Sequence, residues 1–202
     1  MNTPSVLSCT AFAGKRLLAS GGLLQVALKA QEAANRDKFA QVVIFDDVTG
    51  ELVEVDLRGT PDELSRRFVE TASAAVQSNG PVLADGEARR PGRPKLGVVA
   101  REVTLLPRHW AWLASQPGGA SVALRKLVEQ AKKANEGTDR LRIAQEAAYR
   151  FLSAMCGNEC EFEEANRALF AGKRKRFAQA TEPWPPDLRN HAMKLASLAF
   201  AD

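Results

Sequence analysis

Residues 89–133 read RRPGRPKLGVVAREVTLLPRHWAWLASQPGGASVALRKLVEQAKK, and they divide the chain into three parts. A basic Pro/Gly leader comes first, then a short β-rich run that enters a helix, then a second helix after a Gly-Gly turn. The window holds ten Lys/Arg against two Glu, net +8, whereas residues 1–88 are net −4 and residues 134–202 are balanced. A formal charge of +4 for the whole chain therefore conceals a concentrated cationic module, a property that concerns partners rather than fold.

With 202 residues the chain can bury a core without disulfides or metals. A hydrophobic content of 45% with 26% charged residues is ordinary for a globular protein. Apolar runs such as VVIF at 42–45 fall far short of the ~20 residues a membrane-spanning helix needs, so no membrane partner is expected. The N-terminus lacks a basic cluster followed by an apolar stretch, so a secretory leader is not expected either. Three cysteines, Cys9, Cys156 and Cys160, are too few and too odd for a disulfide framework. The expected location is a bacterial cytoplasm, at the nucleoid if DNA is bound.

Upstream of the module, residues 9–20 suit a strand or tight hairpin turning near Gly14, which can take positive φ. Gly21-Gly22 precedes a helix over about 23–35 with Leu24, Ala27 and Leu28 at helical spacing. Val42-Val43-Ile44-Phe45 is a strand, and Val53, Val55 and Leu57 alternate with Glu54, Asp56 and Arg58 as its return strand. That alternation predicts one buried and one wet face. Thr60-Pro61-Asp62-Glu63 is a capping box with Pro at the first helical position. Residues 5–78 are read as a small α+β domain with an antiparallel sheet. Asp46, Asp47, Glu54 and Asp56 suit hairpin turns and wet strand positions better than a metal site.

Residues 79–97 contain four Gly and three Pro without apolar periodicity and form the expected linker. Residues 139–202 are helical in pattern. One helix ends at Gly157-Asn158, a second at Gly172, a short basic one follows with KRKR at 173–176, and a last one starts at Pro186. Their short connections predict a bundle.

Within the module, residues 99–106 suit a strand, Pro107 opens a helix with Trp110, Leu113 and Ala114 at i, i+3, i+4, and Ser121 suits the N-cap of the next helix. Leu124, Leu127, Val128 and Ala131 mark the apolar side of that helix, which is expected to break at Asn135-Glu136-Gly137. The predicted unit, 98–134, has too little apolar surface to stand alone, and a single strand leaves two open edges. Two copies pairing strand to strand answer both needs. Val103, Leu105, Trp110, Leu113, Leu124, Leu127 and Val128 are the expected dimer contacts.

The segment VTLLPRHWAWLASQPGGASVALRKLVEQA resembles a ribbon-helix-helix DNA-binding unit. The resemblance implies a homodimer whose two-stranded ribbon enters the major groove of double-stranded DNA. It also implies that the N–H groups of Gly119, Ala120 and Ser121 meet phosphate, aided by the helix dipole. Arg101 and Thr104 are the candidates for base contact, Arg125 and Lys126 for phosphate. Strand register stays open: Glu102, Thr104 and Leu106 face the groove in one alternative, Arg101, Val103 and Leu105 in the other. The leader Arg89-Arg90-Pro91-Gly92-Arg93-Pro94-Lys95 resembles an AT-hook, which implies Arg90, Arg93 and Lys95 in the minor groove of A·T-rich DNA. Across nearly its full length the chain is similar to an uncharacterised bacterial family of unknown function. The blocks that carry this are FDDVTGELVEVDLRGTP, GRPKLGVVAREVTLLPRHWAWLASQPGGASVALRKLVEQA and EAAYRFLSAM.

Other constellations are poorer. His109 beside Trp110 and Trp112 has no nucleophile and orienting acid nearby. Cys156 and Cys160 with a distant His191 fall short of four zinc ligands. No phosphate-binding glycine motif is present. The expectation is therefore an α+β protein with a small N-terminal sheet, a central strand-helix-helix module and a C-terminal helical bundle. It is expected to bind DNA as a transcriptional regulator, without catalysis, metal or cofactor. The competing expectation is an assembly factor whose module only dimerises and whose basic face meets an acidic protein.

Overall fold

In the computed structural model, β1 (Ser8–Ala13) is the strand against which two layers of helix are laid. Residues 7–37, 39–78 and 101–200 are described, with the side chains of 71–78 excepted. β1 turns at Gly14, φ 55°, into β2 (Arg16–Gly22), and α1 (Leu23–Arg36) follows at once. β3 (Val42–Asp46) returns along the other edge of β1, giving an antiparallel sheet of order β2-β1-β3. A register shift between Ala11 and Phe12 marks the β1–β2 pairing.

Side-chain alternation divides the core in two. Cys9, Ala11 and Ile44 point to one face and pack with Val26, Ala27 and Ala30 of α1 and with Leu64. Phe12 and Phe45 point to the other and join a larger core built from the C-terminal helices. The sheet is thus covered on both faces, where the alternation at 53–57 predicted one wet face. The cause is local: VVIF is a continuous apolar run, as strands buried on both sides require. The return strand is also shorter than predicted. A single bridge, Phe45 to Leu52, with bonds from Val53 N–H to Ile44 O (2.8 Å) and from Asp46 N–H to Glu51 O (2.9 Å), holds it to β3. Beyond it Val53, Val55 and Leu57 pack on the α1 side as irregular chain.

α2 (Pro61–Ser78) opens on the predicted capping box. Thr60 Oγ1 accepts from Glu63 N–H at 3.3 Å, and Glu63 Oε2 accepts from Thr60 N–H at 2.8 Å. α3 (Pro107–Ala114) and α4 (Gly119–Met155) follow, then α5 (Phe162–Phe170), α6 (Arg174–Ala180), α7 (Pro186–Ala196) and a 3₁₀ turn at Ser197–Phe200. The end of α5 shows why Gly172 stops it. Gly172 takes φ 65°, its N–H reaches Leu169 O at 3.1 Å, and Lys173 N–H reaches Ala168 O at 2.9 Å.

The segments expected to be separate N- and C-terminal domains form one compact unit, which reaches Gln77 and resumes at Gly137. Phe12, Phe45 and Phe151 meet at ring distances of 5.1 to 6.3 Å and close its larger core. Gly50 adapts the β3 turn to α4: at φ 67° it sits where an added Cβ would lie 2.1 Å from Ala147 O. The second unit lies between Ser78 and Glu136. The linker expected at 79–97, with Arg90, Arg93 and Lys95, and the start of the expected strand at 99 fall outside the described residues.

Candidate nucleic-acid interface

Residues 101–106 pair with no strand among the described residues. A strand needs a ladder to join, and the described part of the ribbon expected at 99–106 has no strand partner among the described residues. Leu106 is extended at φ −66°, ψ 148°, as a residue before proline prefers. Its carbonyl receives the N–H groups of His109 and Trp110 at 2.8 and 3.2 Å, and Pro107 starts α3 as predicted. Gly118 and Gly119, at φ 86° and 74°, make the turn into α4.

α4 begins at Gly119, so Ser121 lies inside its first turn rather than at the N-cap. The glycines shorten the connection and bring the helix in three residues early. Gly119 N–H donates to Gln116 O at 2.9 Å, which leaves Ala120 and Ser121 with the first-turn N–H groups that could meet an anion. At its other end the helix does not break at Asn135-Glu136-Gly137; it runs unbroken to Met155. One mid-helix glycine costs about 1 kcal/mol relative to alanine. Downstream, Ala144, Ala147, Ala148, Phe151 and Leu152 are buried, and that packing outweighs the glycine.

Arg101, Thr104, Ser121, Arg125 and Lys126 are exposed, and Gly119 and Ala120 are half-buried. Arg101, Arg108, Lys126 and Lys133 make no ion pair among the described residues, and Arg125 Nε bonds only the Ser121 carbonyl of its own helix (3.1 Å). Lys132 is tied to Glu129 at 3.7 Å. Of the expected dimer contacts, Val103, Trp110, Leu127 and Val128 are exposed, while Leu105 and Leu124 are half-buried. Leu113 is 3% exposed. It therefore packs within its own subunit and is not an interface residue.

A different group of polar side chains is brought together in the first unit. Asp47 Oδ2 accepts from Lys194 Nζ at 2.7 Å and from Ser8 Oγ at 2.9 Å, and its Oδ1 accepts from Thr10 Oγ1 at 2.7 Å. Thr10 also shares a bond with Ser20 Oγ at 2.9 Å. Burial would raise the Asp47 carboxyl, yet the bonds from Lys194, Thr10 and Ser8 together hold it below its usual value. His191 stands edge-on to Phe151 and Phe12, with Nε2 buried, unbonded and 3.9 Å from Asp47 Oδ1. Desolvation lowers it to about 4, against a partial rise from Asp47 and a further lowering by Lys194. This cluster joins β1, β2, β3 and α7, with directly bonded residues as far as 174 positions apart. No local pattern could have announced it, although Asp47 and His191 were each visible singly.

The remaining acids do separate work. Asp46 Oδ1 caps its turn by accepting from Val48 and Thr49 N–H at 2.6 and 2.9 Å. Asp56 pairs with Arg58 and Arg67 at 2.8 and 2.9 Å. No group of three or more His, Cys, Asp or Glu suited to a metal occurs among the described residues. Cys156 is buried, its thiol pushed up to about 12 by desolvation and by Glu159 against a lowering by Lys15. Cys160 is exposed, and its carbonyl accepts the Trp184 indole N–H at 2.7 Å. No helix among the described residues is long and apolar enough to cross a membrane.

Fold and surface together define an α+β protein with a three-stranded antiparallel sheet and helices on both of its faces. The chain belongs to DUF2239, described as uncharacterized protein conserved in bacteria, whose model matches residues 8–196. Neither a curated protein nor a solved structure matches it.

Proposed function

We propose that this chain is a double-stranded-DNA-binding protein, a regulator of transcription, that binds through the unit containing α3 and the start of α4. The observation that carries the reading is the set of exposed cations there. Arg101, Arg108, Arg125, Lys126 and Lys133 have no carboxylate partner among the described residues, in a unit separate from the main core. Unpaired cations keep their charge available for counterion release on meeting a polyanion. In this reading two copies pair, their 99–106 segments form the ribbon, Arg101 and Thr104 contact base edges, and Arg125 and Lys126 contact phosphate. The first-turn N–H groups of Ala120 and Ser121 add the helix-terminal anion contact. Arg90, Arg93 and Lys95 extend it into the minor groove of A·T-rich sequence.

The test is a fluorescence-anisotropy titration of the full chain on a labelled duplex at several salt concentrations. With about six to eight phosphate contacts, log K falls against log[salt] with a slope of roughly −5 to −7. Arg125→Glu with Lys126→Glu reduces affinity at least about 10-fold and flattens that slope. A salt-independent response, or equal affinity of the double variant, ends the reading. The alternative, an assembly factor in which this unit only pairs copies, is favoured by one feature. Val103, Leu106, Trp110 and Trp112 are 41–52% exposed in the same unit, a surface suited to protein contact.

A further inference from the structure

The tip of the β1–β2 hairpin, the second half of α1 and the connection from α1 to β3 border an open cleft of about 660 Å³. Small molecules are held in clefts of about 300–1,000 Å³. The walls are clipped together, because Gly14 N–H at the hairpin tip donates to Gln41 O of the connection at 3.0 Å. Gly14 itself contributes no side chain, and a Cβ placed there would meet nothing within 4 Å.

Charge on one wall comes from α1. Lys29, Glu32 and Arg36 stand at i, i+3 and i+7 and share a face of the helix. Glu32 takes both cations, Lys29 Nζ at Oε2 and Arg36 Nη2 at Oε1, each at 3.0 Å. The bond from Lys29, with the charges of Lys29 and Arg36, holds the Glu32 carboxyl below its usual value. Both cations keep N–H donors beyond the one given to Glu32. On the opposite wall Arg16 is exposed, and its guanidinium has no hydrogen-bond or carboxylate partner among the described residues. Neighbouring Lys15 is committed to Glu159 instead. The second carboxylate lining the cleft, Asp37, accepts from Phe39 N–H at 2.9 Å. Three cations therefore line the cleft with two carboxylates that are already engaged, and donors are in excess. The negative end of the α1 dipole also points this way, and Arg36 in the last turn offsets it.

Phe39 gives the cleft its other property. Its side chain is 94% exposed, so the ring is offered to water at the rim rather than packed in the core. An aromatic face is a large apolar surface that a second flat ring covers well.

We propose that this cleft binds a small aromatic anion, a planar ring bearing a phosphate or a carboxylate, with the ring on Phe39 and the anionic group on Arg16. The arginine fork matches the oxygens of either group. Lys29 and Arg36, fixed by Glu32, supply donors from the facing wall. A cation would find no free carboxylate of this kind, and a purely apolar ligand would leave Arg16 without a partner. The site lies in the first unit and uses none of the residues assigned to DNA.

The experiment is a heteronuclear NMR titration of the full chain with adenosine 5′-monophosphate and with 2-naphthoate. Adenosine and inorganic phosphate serve as the separate halves. One or both of the two anions binds with a dissociation constant between about 10 μM and 1 mM, and the shifts centre on residues 13–18 and 29–41. The tighter of the two identifies phosphate or carboxylate as the preferred group. Arg16→Gln weakens binding at least about 10-fold, as for loss of a charge-assisted bond. Phe39→Ala weakens it at least about 5-fold, as for loss of a stacking platform. Both side chains are exposed, so the amide spectra outside the cleft and the melting temperature stay as in wild type. Arg125→Glu with Lys126→Glu, the pair expected to abolish DNA binding, leaves this affinity within about 2-fold, so the two readings stand or fall separately. No binding of either anion below about 10 mM, shifts centred elsewhere, or full affinity in both cleft variants overturns the site. Inorganic phosphate binding as tightly as the whole nucleotide overturns the role of the ring.

Discussion

Lys194 of α7 places its ammonium 2.7 Å from the Asp47 carboxylate at the end of β3, across 147 residues of sequence. The two ends of the bond differ in kind. The Asp47 side chain is 6% exposed and the Lys194 side chain 52%, so the carboxylate is the desolvated partner and the lysine reaches to it from water. Thr10 and Ser8 complete the shell and fasten β1 to the same oxygens. The final helix is thereby locked to the sheet by an acceptor that water hardly reaches.

Removing the acceptor should consequently cost more than removing the lysine. Asp47→Ala strands Thr10, Ser8 and Lys194 and is expected to destabilise by roughly 2–3 kcal/mol. Lys194→Met leaves the two hydroxyl bonds in place and should cost about 1 kcal/mol. Urea midpoints of the two variants at pH 7 check the order. A larger loss for the lysine variant would contradict the account.

His191 makes stability depend on pH. Its folded value of about 4 lies below the ordinary histidine value of 6.5, so the neutral ring favours the fold above the unfolded value. That stability declines as pH falls from 6.5 towards 4, because the unfolded chain then binds a proton that the buried ring refuses. The loss between pH 7 and 4.5 is expected to be roughly 2–3 kcal/mol. Asp47, held below its usual value, adds a separate loss only at still lower pH. His191→Gln should remove most of the slope between pH 6.5 and 4.5, read from urea midpoints across that range. An unchanged slope would place the titration elsewhere.

Gly50 should tolerate no side chain. Positive φ and a Cβ position 2.1 Å from Ala147 O combine backbone strain with a clash against helix backbone. Gly50→Ala is expected to cost roughly 2–4 kcal/mol. For a protein of this length that lowers Tm by about 4–16 °C, measured by calorimetry. Gly14→Ala is the control. It shares positive φ, but an added Cβ meets nothing within 4 Å, so its loss should stay near 1 kcal/mol.

The capping box of α2 is a local feature with a local cost. Thr60→Ala removes the acceptor for Glu63 N–H and should destabilise by about 1 kcal/mol, whereas Thr60→Ser should cost little. Chemical denaturation of the pair distinguishes loss of the cap from loss of the threonine methyl.

Some of the candidate interface could be read from residue order alone. The Leu106-Pro107 entry, the Gly118-Gly119 turn and the amphipathic start of α4 depend on φ restriction and helical periodicity, which act over a few residues. Leu113 was misplaced because periodicity identifies an apolar face without saying whether the chain itself or a second copy covers it. The break expected at 135–137 failed for a related reason. A glycine's preference is about 1 kcal/mol, and the burial of Phe151 and Leu152 downstream decides against it.

The amino-acid order by itself determined the hairpin at Gly14, the capping box at Thr60, the helix stops at Gly157 and Gly172, and the concentration of charge between Arg89 and Lys133. Each follows from steric preference, local hydrogen bonding or simple counting. Tertiary structure alone decided that the two ends of the chain share one core, that both faces of the sheet are covered, and that Asp47, His191 and Lys194 meet. Those outcomes depend on which apolar surfaces find each other across more than a hundred residues, and short-range preferences carry no information about that choice.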